Sequence, residues 1–144
     1  MKASELLINK IIDFEGCRLS SYKCPSGVWT IGIGHTKGVK AGQRITEQQA
    51  LSLLRGDLLP CENFVEELGV CRTHGEFDAL VDFCFNLGTS ALQRSTLLRY
   101  IKQRKAELYI REEFGKWVHS GGKVLKGLVK RREWEADRFF GRTT

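Results

Sequence analysis

Apolar residues near the start of the chain fall at Leu7, Ile11 and Phe14, with Ile8 and Ile12 beside them. That i, i+4, i+7 spacing predicts an amphipathic helix. Ser4 is its N-cap candidate and Gly16 its stop, so the helix ends at Glu15. From Leu19 to Gly34 the period shortens: strands flank a turn at Cys24-Pro25-Ser26-Gly27, and Val28 to Gly34 is the clearest of them, which makes a small β-hairpin. Thr46-Glu47-Gln48-Gln49 has the form of a capping box. Leu54, Leu58, Cys61, Val65 and Leu68 then carry a helical stripe to Gly69, with Pro60 as a candidate bend. A second box, Thr73 to Glu76, opens a helix that points Phe77, Leu80, Val81 and Cys84 inward and ends at Gly88. Three more helical patterns cover 95–102, 106–118 and 124–140, with loops around Gly115 and at Gly121-Gly122. No repeat or linker interrupts the series, so the expected fold is α+β, predominantly α, with one small sheet near the N-terminus.

Two positions do not fit a purely structural pattern. Glu15 lies four residues after Ile11 and eight after Leu7, so its carboxylate projects from the apolar side of the helix. Desolvation and the negative end of the helix dipole both raise the pKa of such a group, which suits a general acid. The plainer reading is a helix-end Glu paired with Arg18. In the strand, Trp29, Ile31 and Ile33 share one face while Val28, Thr30, Gly32 and Gly34 share the other. A hydroxyl beside a bare glycine surface suits the wall of a ligand cleft. A strand that simply bends sharply at its glycines would look the same.

Composition narrows the possibilities. With 42% hydrophobic residues over 144 positions the chain can bury a substantial core. It has no apolar run near the ~18 residues of a membrane span, and Met1-Lys2-Ala3-Ser4-Glu5 lacks the apolar stretch of a signal peptide. Synthesis and retention in a cytoplasm are therefore expected. The formal charge of +6 points to a polyanionic partner: nucleic acid, anionic membrane or an acidic wall polymer. The densest basic run, Lys126 to Arg132, is followed by Glu133, Glu135 and Asp137, which reads as a solvated helix face with i,i+4 pairs instead of a nucleic-acid recognition helix. Five cysteines, an odd and scattered set, read mostly as buried thiols in a reducing compartment. Cys71 and His74, with Cys61 and Cys84 nearby, lack the paired C-x-x-C spacing of a zinc site.

Phe14-Glu15-Gly16, Tyr22 and the run Trp29-Thr30-Ile31-Gly32-Ile33-Gly34-His35-Thr36 resemble the active-site segment of the phage-type lysozymes, or endolysins. Phe77 to Gly88 is similar to that family's central helix. Ser95 to Arg99 and Gly121 to Glu133 look like its lambdoid branch. The resemblance implies a lysozyme-like fold across 1–144: a small N-terminal catalytic lobe over about 1–45, a linking helix over 46–68, a helical lobe over 69–144, and a cleft between the lobes. It implies hydrolysis of the β-1,4 bond between N-acetylmuramic acid and N-acetylglucosamine in bacterial peptidoglycan. Glu15 would be the general acid, Cys24 would stand at the second catalytic position, and Thr30 would hold the attacking water. Phe85 and Asn86 would contact the saccharide, and His35 with Asp57 would form a structural ion pair. No metal or organic cofactor is implied, nor nucleic-acid binding or membrane insertion. A monomer made in the host cytoplasm, reaching the wall through a holin lesion, completes the picture.

Cys24 departs from the Asp that many relatives carry. A thiol of ordinary pKa, roughly 8.5, is only a few per cent ionised at pH 7 unless cations such as Arg18 or Lys23 lower it. Its thiolate could act as base or attack the anomeric carbon, and a disulfide to Cys17 or another cysteine would silence it. Two other readings share the same residues: a cysteine hydrolase with His35, His74 or His119 as base, and a basic lysozyme-fold domain that binds glycan without cleaving it.

Overall fold

The computed structural model describes residues 1–142, which divide into two units. In the unit formed by residues 5–60, α1 (Glu5–Glu15) places Leu7, Ile8 and Ile11 in the core, as their spacing demands. Gly16 ends it in the left-handed region, φ +73°, with its N–H donating 2.7 Å to the Ile12 carbonyl. β1 (Arg18–Lys23) and β2 (Trp29–Gly32) pair antiparallel, Tyr22 opposite Thr30 and Lys23 opposite Trp29. Ile31, Ile33, Ala50, Leu54 and Leu58 complete the buried set. The capping box at the start of α2 (Glu47–Leu68) is reciprocal: Thr46 N–H donates to Gln49 Oε1 at 2.8 Å, and Gln49 N–H to Thr46 Oγ1 at 3.1 Å.

The expected strand over 28–34 is cut short. β2 stops at Gly32, and Ile31 and His35 exchange N–H···O=C bonds of 2.9 and 3.0 Å across Gly32-Ile33-Gly34. Gly32 and Gly34 have φ of +65° and +70°, so the glycines make a tight reversal, not a flat bare face. Ile31 and Ile33 both reach the core, as their shared face predicted, although the chain reverses after Gly32.

The other unit comprises residues 1–4 and the chain from Cys61 onward. It holds the end of α2, then α3 (His74–Leu87), α4 (Thr89–Gln93), α5 (Thr96–Lys102), α6 (Glu107–Phe114), the hairpin β3 (His119–Ser120) and β4 (Lys123–Val124), and α7 (Lys126–Phe139). α3 is buried from Glu76 to Cys84 and packs chiefly on α7. Phe83 meets Phe114 and Trp117 edge-on, with centroids 6.3 and 5.4 Å apart. The helical pattern over 106–118 overshoots: the chain leaves the helix at Phe114 and reaches β3, since Gly121 and Gly122, both at positive φ, close a two-residue hairpin turn. The short α4 has no expectation behind it. At the second capping box Thr73 Oγ1 accepts from Glu76 N–H at 3.0 Å, but the Glu76 carboxylate turns to Arg72 N–H and the Arg104 guanidinium.

α7 overturns the reading of its basic run as a solvated face at Arg131 and Arg132, while Lys126 and Lys130 are exposed. Arg131 and Arg132 are 4% and 1% exposed. Arg131 forms a fork on Asp82, Nε to Oδ2 at 3.0 Å and Nη2 to Oδ1 at 2.8 Å, whereas Arg138 donates from Nε and Nη2 to a single oxygen of Asp78, Oδ2, at 3.0 and 2.8 Å. Arg132 Nη2 donates to Glu135 Oε2 at 2.9 Å and to Asn86 Oδ1 at 2.7 Å, while its Nε faces Glu135 Oε1 at 2.8 Å without hydrogen-bond alignment. Burial opposes ionisation of Asp82, yet hydrogen bonds from Glu135 and Arg131 hold it below the usual carboxylate range. Burial and the neighbouring Asp82 push Glu135 up, against the pull of Arg132 and Arg131.

All five cysteines are free. Only Cys61 and Cys84 are buried; Cys24 and Cys71 are half-buried and Cys17 is exposed, so the expected set of mostly buried thiols shrinks to two. Among the described residues no helix is long and apolar enough to cross a membrane.

Candidate active site

Glu15 is the last residue of α1 and is half-buried. A Cβ on Gly34 would stand 2.8 Å from Glu15 Oε1 and 3.3 Å from its Cδ. The carboxyl group therefore rests on the glycine backbone of the reversal, in space that any side chain at 34 would occupy. His35, next along, fixes that reversal to α2: its Nδ1 lies 2.8 Å from Asp57 Oδ2 and its Nε2 2.9 Å from the Lys37 carbonyl. The expected His35–Asp57 pair is thus present, and it braces the loop against which Glu15 lies.

The turn between β1 and β2 builds the second half of the site. Gly27 N–H donates to the Cys24 carbonyl at 2.8 Å, with Gly27 at φ +83°, and Cys24 N–H donates to the Val28 carbonyl at 3.0 Å. The Thr30 hydroxyl, on a residue only 4% exposed, donates to the same Val28 carbonyl at 3.1 Å. Its oxygen keeps lone pairs with which to accept a hydrogen bond. Cys24 Sγ lies 2.9 Å from Ser26 Oγ. The Ser26 hydroxyl, then the Val28 backbone, lower the thiol to about 7, with a smaller contribution from Thr30. Arg18 and Lys23 do not do this. They sit over the Tyr22 and Trp29 rings, 4.3 and 5.5 Å from the centroids.

Glu15, Cys24 and Thr30 therefore occupy one unit, the last two joined through one carbonyl. Phe85 and Asn86 belong to the other unit, at the C-terminal end of α3, where both are half-buried. Asn86 is oriented by Arg132, which takes its amide oxygen. Sequence reasoning missed Ser26 and the Val28 carbonyl. The signal was available, because a hydroxyl two residues after a cysteine in a four-residue turn can fold back onto the sulfur. Among the described residues no three His, Cys, Asp or Glu side chains gather as a metal site.

The phage lysozyme family model matches residues 12–135, and the chain belongs to that family. It is 43% identical to an endolysin of Bacillus phage B103 over 96% of this chain and 54% of that protein, so it spans about half the length of that relative. It is 35% identical to an endolysin of Acyrthosiphon pisum secondary endosymbiont phage 1, over 96% of this chain and 98% of the relative. Among solved structures, the muramidase domain of SpmX from Asticaccaulis excentricus is 36% identical, with a TM-score of 0.86 over 96% of this chain and 97% of that one.

Proposed function

We propose that the protein is a peptidoglycan-lytic muramidase that hydrolyses the β-1,4 bond between N-acetylmuramic acid and N-acetylglucosamine. Glu15 donates its proton to the glycosidic oxygen as the bond to the anomeric carbon breaks. The Cys24 thiolate takes a proton from a water whose other O–H is accepted by Thr30, and that water adds to the anomeric carbon. The product carries a new reducing muramic acid end. One observation carries the reading: a half-buried carboxyl seated on Gly34, in the unit where Cys24 and Thr30 converge on Val28. The thiol, lowered to about 7 by its hydrogen bonds, supports the base role, since its thiolate becomes accessible at neutral pH. Asn86, its oxygen held by Arg132, can offer its N–H groups to an acetamido carbonyl, with Phe85 as an apolar neighbour for a sugar ring.

The cysteine-hydrolase reading is less well supported, because His35 spends both ring nitrogens on Asp57 and Lys37, His74 and His119 belong to the other unit, and the partner of Cys24 is Ser26. As part of the same proposal the enzyme acts as a monomer, is made in the host cytoplasm, and reaches the wall after a holin opens the membrane. Digestion of purified peptidoglycan tests the chemistry. Wild type is expected to release reducing muramic acid ends and Glu15→Gln none; equal release by both removes Glu15 from the mechanism. Full activity in Cys24→Ser strips Cys24 of any essential role.

A further inference from the structure

From Phe83 to Ala106 the chain contains no acidic residue, yet it carries Arg94, Arg99, Lys102, Arg104 and Lys105. The fold turns this stretch into two open depressions that share Lys102. One, of about 230 Å³, is lined by Arg72, Lys102 and Arg104 together with Gly69 to Cys71. The other, of about 270 Å³, is lined by Arg94, Arg99 and Lys102 with the polar Gln93, Ser95 and Thr96. Arg104 is paired with Glu76, and it holds the Val70 carbonyl as well, so it is a fixed wall of the first depression. Arg72, Arg94, Arg99 and Lys102 are all exposed.

We infer that these paired depressions bind a polyol-phosphate chain of the cell wall, successive phosphates seating on either side of Lys102. Planar guanidinium groups with a lysine between them match phosphate oxygens, arginine as a fork and lysine as a point charge. The two alternative carriers of phosphodiesters fit less well. No aromatic side chain lines either depression, whereas binding to single-stranded nucleic acid relies on rings for stacking. Tyr100, a ring of the same segment, is already flanked by Arg99 and Lys105. A lipid surface would need apolar groups to insert, but Leu97, Leu98 and Ile101 of this segment are all buried, with Leu98 and Ile101 only lining the depressions from below. The inference builds on the wall as the site of action and adds an attachment point that has no part in bond cleavage.

The test is co-sedimentation of the full chain carrying Glu15→Gln, so that binding is read without digestion and independently of whether the wild type is a muramidase. Walls bearing polyol phosphate are compared with the same walls stripped of it by acid. Arg94→Glu, Arg99→Glu and Lys102→Glu together are expected to cost at least about tenfold in affinity for the phosphate-bearing walls. Lys123→Glu, Lys126→Glu and Lys130→Glu, an equal change of charge on exposed positions elsewhere, are expected to cost no more than about threefold. The Gln versions of the first three positions serve if the Glu versions misfold, with the same order of effect. Equal losses in both triple variants, or equal binding to intact and stripped walls, overturn the inference. So does tighter binding to duplex DNA or to phosphatidylglycerol vesicles than to the phosphate-bearing walls.

Discussion

An unperturbed thiol at position 24 would give a base that is almost entirely in the wrong protonation state at pH 7, and the Ser26 hydroxyl corrects this by stabilising the thiolate. With Cys24 as the proposed base the rate requires the deprotonated form, so kcat/KM should rise with pH through about 7. Ser26→Ala removes the largest stabilising contact and should move that acidic limb upward, toward the ordinary thiol range of roughly 8.5. Cys24→Asp should move it down, below about pH 5, because a carboxylate ionises near 3.9. A pH profile of kcat/KM on soluble glycan fragments reads both shifts, and a limb that stays put in both variants would show that Cys24 ionisation does not control the rate. Gly34 supplies a second prediction. An alanine there meets Glu15 Oε1 at 2.8 Å and must also adopt φ near +70°, so Gly34→Ala should displace the carboxyl and lower kcat by about 10²-fold or more. Gly32→Ala meets Ile45 Cδ1 and Ala50 Cβ, at 3.3 and 3.4 Å, and its cost should fall mainly on the thermal midpoint.

The pairing of α3 with α7 sets the stability of the larger unit, and charge is at its centre. Asp82→Asn leaves the Arg131 guanidinium buried with its fork broken, which should destabilise by about 3–5 kcal/mol in denaturant titration. Replacing both, Asp82→Leu with Arg131→Met, should recover most of that loss, since an apolar pair of similar volume avoids the desolvation cost. A double variant as unstable as the single one would mean that the ions also organise Arg132 and Glu135. These contacts explain what could and could not be seen in the sequence. α1 and the Thr46–Gln49 box are written in neighbouring residues, so spacing alone places them. The burial of Arg131 and Arg132 depends on Asp82 and Asn86, which lie more than forty positions away, and a run of charges looks solvated until its partners are known. The glycines at 32 and 34 hid a reversal for a similar reason: alternation predicts a strand, and only the Ile31–His35 bonds reveal the turn. Of the candidate site, Glu15, Cys24 and Thr30 were nominated by the family resemblance, with Glu15 and Thr30 also marked by their places on the helix and the strand. The hydroxyl that tunes the thiol was not, because attention to Arg18 and Lys23 overlooked that exposed cations can be held by the rings of Tyr22 and Trp29.

At the scale of the molecule, the formal +6 is divided unequally in kind as well as in place. Arg131, Arg132 and Arg138 are spent on Asp82, Glu135 and Asp78 inside the helical unit and project little field. The exposed cations between Phe83 and Ala106 have no acidic residue among them and contribute field directly to solvent. Attraction to a negatively charged wall should therefore act through the surface, and salt should weaken it as the screening length falls from about 30 Å at 0.01 M to about 8 Å at 0.15 M. In the proposed mechanism bond cleavage depends on short contacts at Glu15, Cys24 and Thr30, over which screening changes little. Clearing of intact walls should accordingly slow severalfold across that range, while turnover of short, uncharged glycan fragments should change by less than about twofold. Equal slowing of both substrates would place the salt sensitivity in the catalytic unit itself, and no slowing of either would mean that the surface charge plays no part in finding the wall.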